Sequence, residues 1–176
     1  MTDRMSWAIK DESILTDLVT LMDLTDHERH LLATLQPQAK THAPELAEAF
    51  YQRITLNDKA AEYVVGQVDH LKGTLQDWFI ELFSGNYDTD YVRRRLKIGQ
   101  VHVRIGLPVR YPLAMIDVIL AVGKKVTAQN LDAQAAFHKL LALDMAIFNQ
   151  AYEDTQLKHL VHMVGNERLA RRMLSQ

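Results

Sequence analysis

One histidine, His102, stands in the apolar stretch IGQVHVRIGLP, which takes up two of the chain's seven glycines and one of its four prolines. An imidazole in such a place can either hydrogen-bond inside a core or hold a metal ion through one ring nitrogen. In a helix the carbonyl of Ile98 lies one turn earlier and can accept from the first ring nitrogen, which leaves the second with a free lone pair. Positions 95, 98, 99, 105 and 106 share the face of His102, and Gly99 is expected to remove a side chain that would stand beneath a flat ligand.

The other candidates for chemistry are weaker. HERH, residues 27–30, is one residue short of the H-E-x-x-H zinc-protease spacing. His159 and His162 have no third ligand in sequence, and GKK at 123–125 lacks the upstream glycine and the strand of a phosphate-binding loop. No Ser-His-Asp arrangement or paired carboxylates stand out. Without cysteine, and without a carboxylate cluster nearby, a lone histidine makes a poor zinc site. It is a sufficient axial ligand for haem iron, because the porphyrin supplies four other donors.

Several helices are needed to position these residues. Ile14, Leu15, Leu18, Val19 and Met22 have the spacing of an amphipathic N-terminal helix. Thr25 followed by Glu28 forms a capping box for a second helix to about Leu35. Pro37 and Pro44 suit first turns of helical segments, and Leu46, Phe50 and Ile54 recur four apart with Tyr51 beside them. Val64, Val68, Leu71, Leu75, Trp78 and Leu82 form the most periodic stripe. SGNYDTD is a loop whose Asp88 or Thr89 can cap the helix of His102, and Gly106 with Pro108 stops that helix. One helix is expected from Pro108 to about Gln129, and a last one from about Asp132 that reaches the C-terminus. A final helix of about forty residues outgrows a domain of this size, which points to another chain or a downstream segment. The chain ends in NERLARRMLSQ without a glycine stop, as a truncated longer protein would.

The sequence therefore predicts an all-α fold. At 176 residues, with 48% apolar and 24% charged residues, it suits one compact domain. A net charge of −2 leaves no electrostatic footprint for nucleic acid or an acidic membrane. The N-terminus lacks a signal-type apolar region, and no stretch approaches the roughly 18 apolar residues of a membrane span. A cytoplasmic protein is expected, with the absence of cysteine compatible with a reducing compartment.

Residues 12–155 resemble the globin domains of globin-coupled sensors, the haem-based gas sensors of bacteria. The resemblance rests on HVRIGLP, residues 102–108, together with the pair Phe50–Tyr51. It extends through LKGTLQDWFIELFSGNYDTDYVRRRLKIGQ and, upstream, LTDHERHLLATLQPQAKTHAPELAEAFYQRI. It implies a globin-like helical sandwich with an extra N-terminal helix and a long C-terminal helix. It also implies haem b (iron protoporphyrin IX), with His102 as the proximal iron ligand and Tyr51 as a distal donor to bound O2. Thr74 matches a second polar distal position, and Leu71 a position that is variously apolar or polar. Phe50, Val68, Trp78 and Ile98 are expected haem contacts. His70 competes as a second axial ligand, but the apolar stripe leaves it toward an edge. YVRRRLK is expected to send at most one basic side chain to a haem propionate.

The resemblance further implies residues 1–155 as a sensor globin domain, and 156–176 as an extension of the final helix toward a transmitter, most often a diguanylate cyclase. A homodimer through the last two helices is expected, with O2, CO and NO as ligands and no catalysis in this chain itself. Two other readings stand beside this one: a stand-alone protoglobin-like protein that binds or detoxifies diatomic gases, and a haem-free helical adaptor.

Overall fold

A computed structural model of the chain describes residues 11–128 and 130–174, without the side chains of residues 11–15 and of Val19. Ile14, Leu15 and Val19 of the expected N-terminal stripe, the outer ends of the expected domain limits and Gln129 therefore lie outside the description. The described residues form helices and no strand: α1 (Asp11–Met22), α2 (Asp26–Thr34), α3 (Gln36–Thr55), α4 (Asp58–Ala61), α5 (Val68–Glu81), α6 (Thr89–Arg104), α7 (Arg110–Ala114), α8 (Ile116–Thr127), α9 (Leu131–Val164) and α10 (Glu167–Leu174). The expected all-α architecture, with a helix ahead of the sandwich and a long helix near its end, is present.

Local signals account for most helix ends. The Thr25 hydroxyl accepts from the Glu28 N–H at 3.2 Å, and the Glu28 carboxylate accepts from the Thr25 N–H at 2.8 Å. Glu28 also pairs with Lys139 of α9 at 2.8 Å, so this cap ties α2 to the far end of the chain. Asp88 accepts from the Tyr91 N–H and caps α6. At the other end of α6, Gly106 takes φ +74°. The Leu107 N–H bonds the His102 carbonyl at 3.0 Å and the Gly106 N–H bonds that of Val103 at 2.9 Å, the paired closure of a Schellman motif.

Four boundaries differ from expectation. Pro44 lies inside α3 and does not start a new segment; Ala39, Ala43, Leu46 and Ala47 are buried on both sides of it, and that packing outweighs one missing ladder bond. The stripe that begins at Val64 is interrupted, because Gly66 takes φ +73° and α5 starts at Val68. The segment after Pro108 is two helices divided at Met115, whose N–H bonds the Pro112 carbonyl in a tighter three-residue turn. The final helix does not run through to the end: Gly165, at φ +67°, closes α9, Asn166 caps α10, and α10 folds back on α9 with Ala170 buried.

Helix α3 packs on α5, and α6 packs on α9, while α8 lies against both α3 and α9. Two glycines permit close approaches. A Cβ on Gly123 would lie 2.1 Å from the Phe137 ring, which itself stacks on Phe83. A Cβ on Gly99 would lie 2.6 Å from that of Ala151 and 2.9 Å from the Phe148 carbonyl oxygen. The bare backbone of Gly99 therefore makes room for α9, which corrects the expectation that it makes room for a ligand. Gly99→Ala is expected to destabilise the fold by about 1–2 kcal/mol, because the clash includes main chain that cannot swing away and exceeds the gain in helix propensity. A lower denaturant midpoint at unchanged slope checks this.

The Glu28 cap predicts an acid dependence. Desolvation pushes its carboxyl upward, but Lys139 and the two Thr25 donors outweigh that and hold it below its ordinary 4.5. A carboxyl depressed in the folded state contributes stability above pH 4.5 that is lost as the pH falls through its folded value. The stability difference between wild type and Glu28→Gln should accordingly be largest near pH 7 and shrink toward pH 3; a difference independent of pH contradicts it.

Candidate functional site

The pairs α3/α5 and α6/α9 stand apart over part of their length and enclose a cavity of about 270 Å³. That is many times the ~30 Å³ share of one water, so the space is not a packing defect. Phe50, Tyr51 and Ile54 come from α3; Leu71, Thr74, Leu75 and Trp78 from α5; Ile98, Val101 and His102 from α6; Met145 and Phe148 from α9. Tyr63, Val64 and Gln67 reach in from the non-helical turn before α5, and Ile105, Leu107 and Tyr111 from the chain after α6. The lining is mostly apolar.

His102 is half-buried, and its Nδ1 lies 2.8 Å from the Ile98 carbonyl oxygen. A carbonyl only accepts, so Nδ1 carries the proton and Nε2 keeps its lone pair. Burial pushes the imidazole below its ordinary 6.5, partly offset by the Ile98 carbonyl. The ring also stands edge-on to Phe148 at 5.2 Å, and the Tyr152 hydroxyl donates to the Leu107 carbonyl at 2.9 Å. Two side chains of α9 thus fix the end of α6 that carries the imidazole.

Tyr51 is 8% exposed, and desolvation pushes its phenol up to about 12. Among the described residues its hydroxyl has no hydrogen-bond partner. It remains a neutral O–H donor at any physiological pH. Thr74 also lines the cavity, but its hydroxyl is turned to the His70 carbonyl at 3.3 Å.

Of the eight expected site residues, the structure gathers seven around this one cavity: Phe50, Tyr51, Leu71, Thr74, Trp78, Ile98 and His102. Val68 is not among its lining residues; the break at Gly66 puts it at the first position of α5, half-buried, and Val64 enters instead. His70 is exposed and outside the lining, as the apolar stripe implied.

The structure brings only one cation of the basic run YVRRRLK, Arg95, to the cavity. Arg93 pairs with Asp90 and Arg94 with Glu81. Arg95 lines the cavity but is 2% exposed and already engaged: its Nε donates to Asp144 at 2.6 Å, and its other nitrogens donate to Glu81 at 2.8 Å and to the Trp78 carbonyl at 3.2 Å. Asp144, 1% exposed, also accepts from the Tyr91 hydroxyl at 2.6 Å and from the Trp78 indole N–H at 2.8 Å. Sequence reasoning did not find Asp144. It sits in the apolar run LLALDMAIF, and a carboxylate in the middle of such a run needs a buried cation, which is the signal that was available.

Among the described residues no group of three or more His, Asp or Glu could hold a metal ion, and no helix is long and apolar enough to cross a membrane. A metal at His102 would therefore draw its remaining donors from a bound molecule. The helical order, the enclosed apolar cavity and a single imidazole in its wall define a globin-type ligand-binding domain.

Comparison with known proteins agrees. The chain matches the Protoglobin family over residues 11–158, and it belongs to that family. It is similar to the heme-based aerotactic transducer HemAT of Halobacterium salinarum, with 25% identity over 169 residues that cover 85% of this chain and 35% of that protein. It thus spans about a third of the length of that curated relative. Its fold is similar to the globin domain of the Geobacter sulfurreducens globin-coupled sensor, with a TM-score of 0.73 and 29% identity over 78% of this chain and 96% of that domain.

Proposed function

We infer that this chain is a haem-binding gas-sensing domain, with His102 as the axial ligand and O2, and in second place CO and NO, as ligands. The observation that carries the reading is the pairing, in one apolar cavity, of an imidazole whose Nε2 keeps its lone pair with a phenol whose hydroxyl has no protein partner among the described residues. Both atoms are what a metal macrocycle and a small polar guest would use. The donor set fits haem in particular, because one protein nitrogen suffices when a porphyrin supplies four more. Haem b is proposed as the form, since a chain without cysteine has no thiol for covalent attachment.

Bound haem supplies an iron centre that takes diatomic gases. The chain's own residues do the rest. Ile98 holds the tautomer and orientation of His102, the aliphatic and aromatic lining excludes water, and Tyr51 donates to a guest that acquires negative charge. Phe50, Leu71, Trp78 and Ile98 supply apolar contact with the macrocycle, and Thr74 is a second hydroxyl near the guest. Val68 remains outside this set.

Guest binding then shifts the population of two arrangements of α8 and α9, and does so only by as much as its affinity differs between them. Beyond Ala151 no residue of α9 is buried, and Met163 on α9 with Leu169 and Met173 on α10 leave apolar surface exposed. These features support a homodimer through the last helices; a signalling output in a longer cytoplasmic protein, a diguanylate cyclase, is proposed beside it on the family resemblance alone. Residues 1–155 are proposed as the sensor, and 156–176 as the segment that leads from it. Hemin titration tests the reading: a stoichiometric Soret band is expected, followed by reversible spectral shifts under O2 and CO. Protein that stays colourless refutes it.

A further inference from the structure

The Arg95–Asp144 cluster is not needed to hold a haem by the residues assigned above, yet it forms part of the cavity wall. It joins three helices: Trp78 from α5, Tyr91 and Arg95 from α6, and Asp144 from α9. All three donors on Asp144 approach within 2.6–2.8 Å, and Arg95 additionally stacks over the Tyr91 ring at 4.4 Å. A guanidinium and an indole N–H of the lining are thereby both occupied.

Burying an ion pair is often no better for stability than apolar residues of the same volume, so stability alone is a weak reason for its presence beside a cavity. Removing only one partner is a different matter, because it leaves an uncompensated charge in a medium that screens poorly. Without Asp144, Arg95 would keep only the part-exposed Glu81 as a carboxylate partner and the Trp78 N–H would be free, so an anion entering the cavity would find both.

Resting on the haem reading above, we propose that Asp144 is a specificity-determining residue: by neutralising Arg95 and engaging the Trp78 N–H, it withholds both donors of that wall from a guest and tunes the cavity for neutral diatomic guests against anions. Asp144 lines the cavity beside Arg95 and acts through Arg95 and Trp78. Glu81 plays the same part more weakly from the outer end of the cluster, where it is 27% exposed.

The test compares azide binding to the hemin-loaded ferric protein with CO binding to the ferrous protein. In Asp144→Asn the ratio of azide to CO affinity is expected to rise about tenfold or more, since the more buried of the two carboxylates that neutralise Arg95 is lost. In the double variant Asp144→Asn/Arg95→Met, which removes both charges, the ratio is expected to return to within about threefold of wild type. Glu81→Gln, at the half-buried outer end of the cluster, should raise the ratio about two- to threefold. A general loosening of the fold would alter both guests together in all three proteins, and that result overturns the proposal, as does an unchanged ratio in Glu81→Gln and in whichever Asp144 variants fold.

An independent readout needs no hemin. In the protein as purified, the Trp78 indole proton should give a slowly exchanging, downfield nuclear magnetic resonance signal that shifts upfield and exchanges faster in Asp144→Asn. A fast-exchanging wild-type signal overturns the proposal even where hemin binds. A protected signal in protein that binds no hemin locates the failure in the haem reading.

Discussion

His102→Ala is expected to lower hemin affinity by about a hundredfold or more. Removing groups that merely orient a metal ligand costs about 10–100-fold, so removing the ligand itself should cost at least the upper end. Among the described residues there is no substitute, because His70 is exposed outside the cavity and no other histidine lines it. The smaller His102→Gly leaves space for a free imidazole, and millimolar imidazole should restore the Soret band. Retention of wild-type hemin affinity by both variants would remove the site assignment. Loss without imidazole rescue, with a normal helical spectrum, would show that the residue does something other than donate a nitrogen.

The second large effect is at Tyr51. Tyr51→Phe keeps the ring that meets Phe50 at 5.3 Å and deletes only the hydroxyl. A hydrogen bond to a charged or strongly polarised group is worth about 1.5–3 kcal/mol, and each 1.4 kcal/mol is a factor of ten. Oxygen dissociation should therefore quicken by about ten- to a hundredfold, measured by stopped-flow mixing with excess CO. Dissociation of CO, which needs the donor less, should change by under about threefold. Because burial holds the phenol near 12, the effect should be flat from pH 6 to pH 9. An oxygen off-rate equal to wild type would mean that the donor is elsewhere, with Thr74 the next hydroxyl in the lining.

What could be read from the chain, and what could not, divides by the reach of each interaction. The Thr25–Glu28 cap, the Asp88 cap, the Schellman closure at Gly106 and the Nδ1 bond of His102 to Ile98 all join residues within five positions, and each has a spacing signature. The clustering of Phe50, Tyr51, Leu71 and His102 is legible only through family resemblance, because periodicity says which face is apolar but not what lies opposite. Gly99 shows the limit: its position one turn from His102 is compatible with facing a ligand or facing a helix, and only the approach of Ala151 decides for the helix. Val68 is misplaced by its spacing because a regular stripe hides a single glycine with positive φ. Arg95 stands in sequence as one of three adjacent arginines, and nothing local indicates that a carboxylate 49 positions away will bury it.

The arrangement of α5 and α6 has a mechanical consequence. Trp78 and Arg95, which hold the shared carboxylate, lie seven residues from Leu71 and His102, about 10 Å along each helix axis. The two helices are therefore clamped near the loop that joins them and parted where the imidazole sits, like tongs held at the hinge. Local opening is expected at the open end, where half-buried side chains line the space, ahead of the buried Arg95–Asp144 clamp. A guest can thus enter and leave on the timescale of local opening without the fold ever being put at risk.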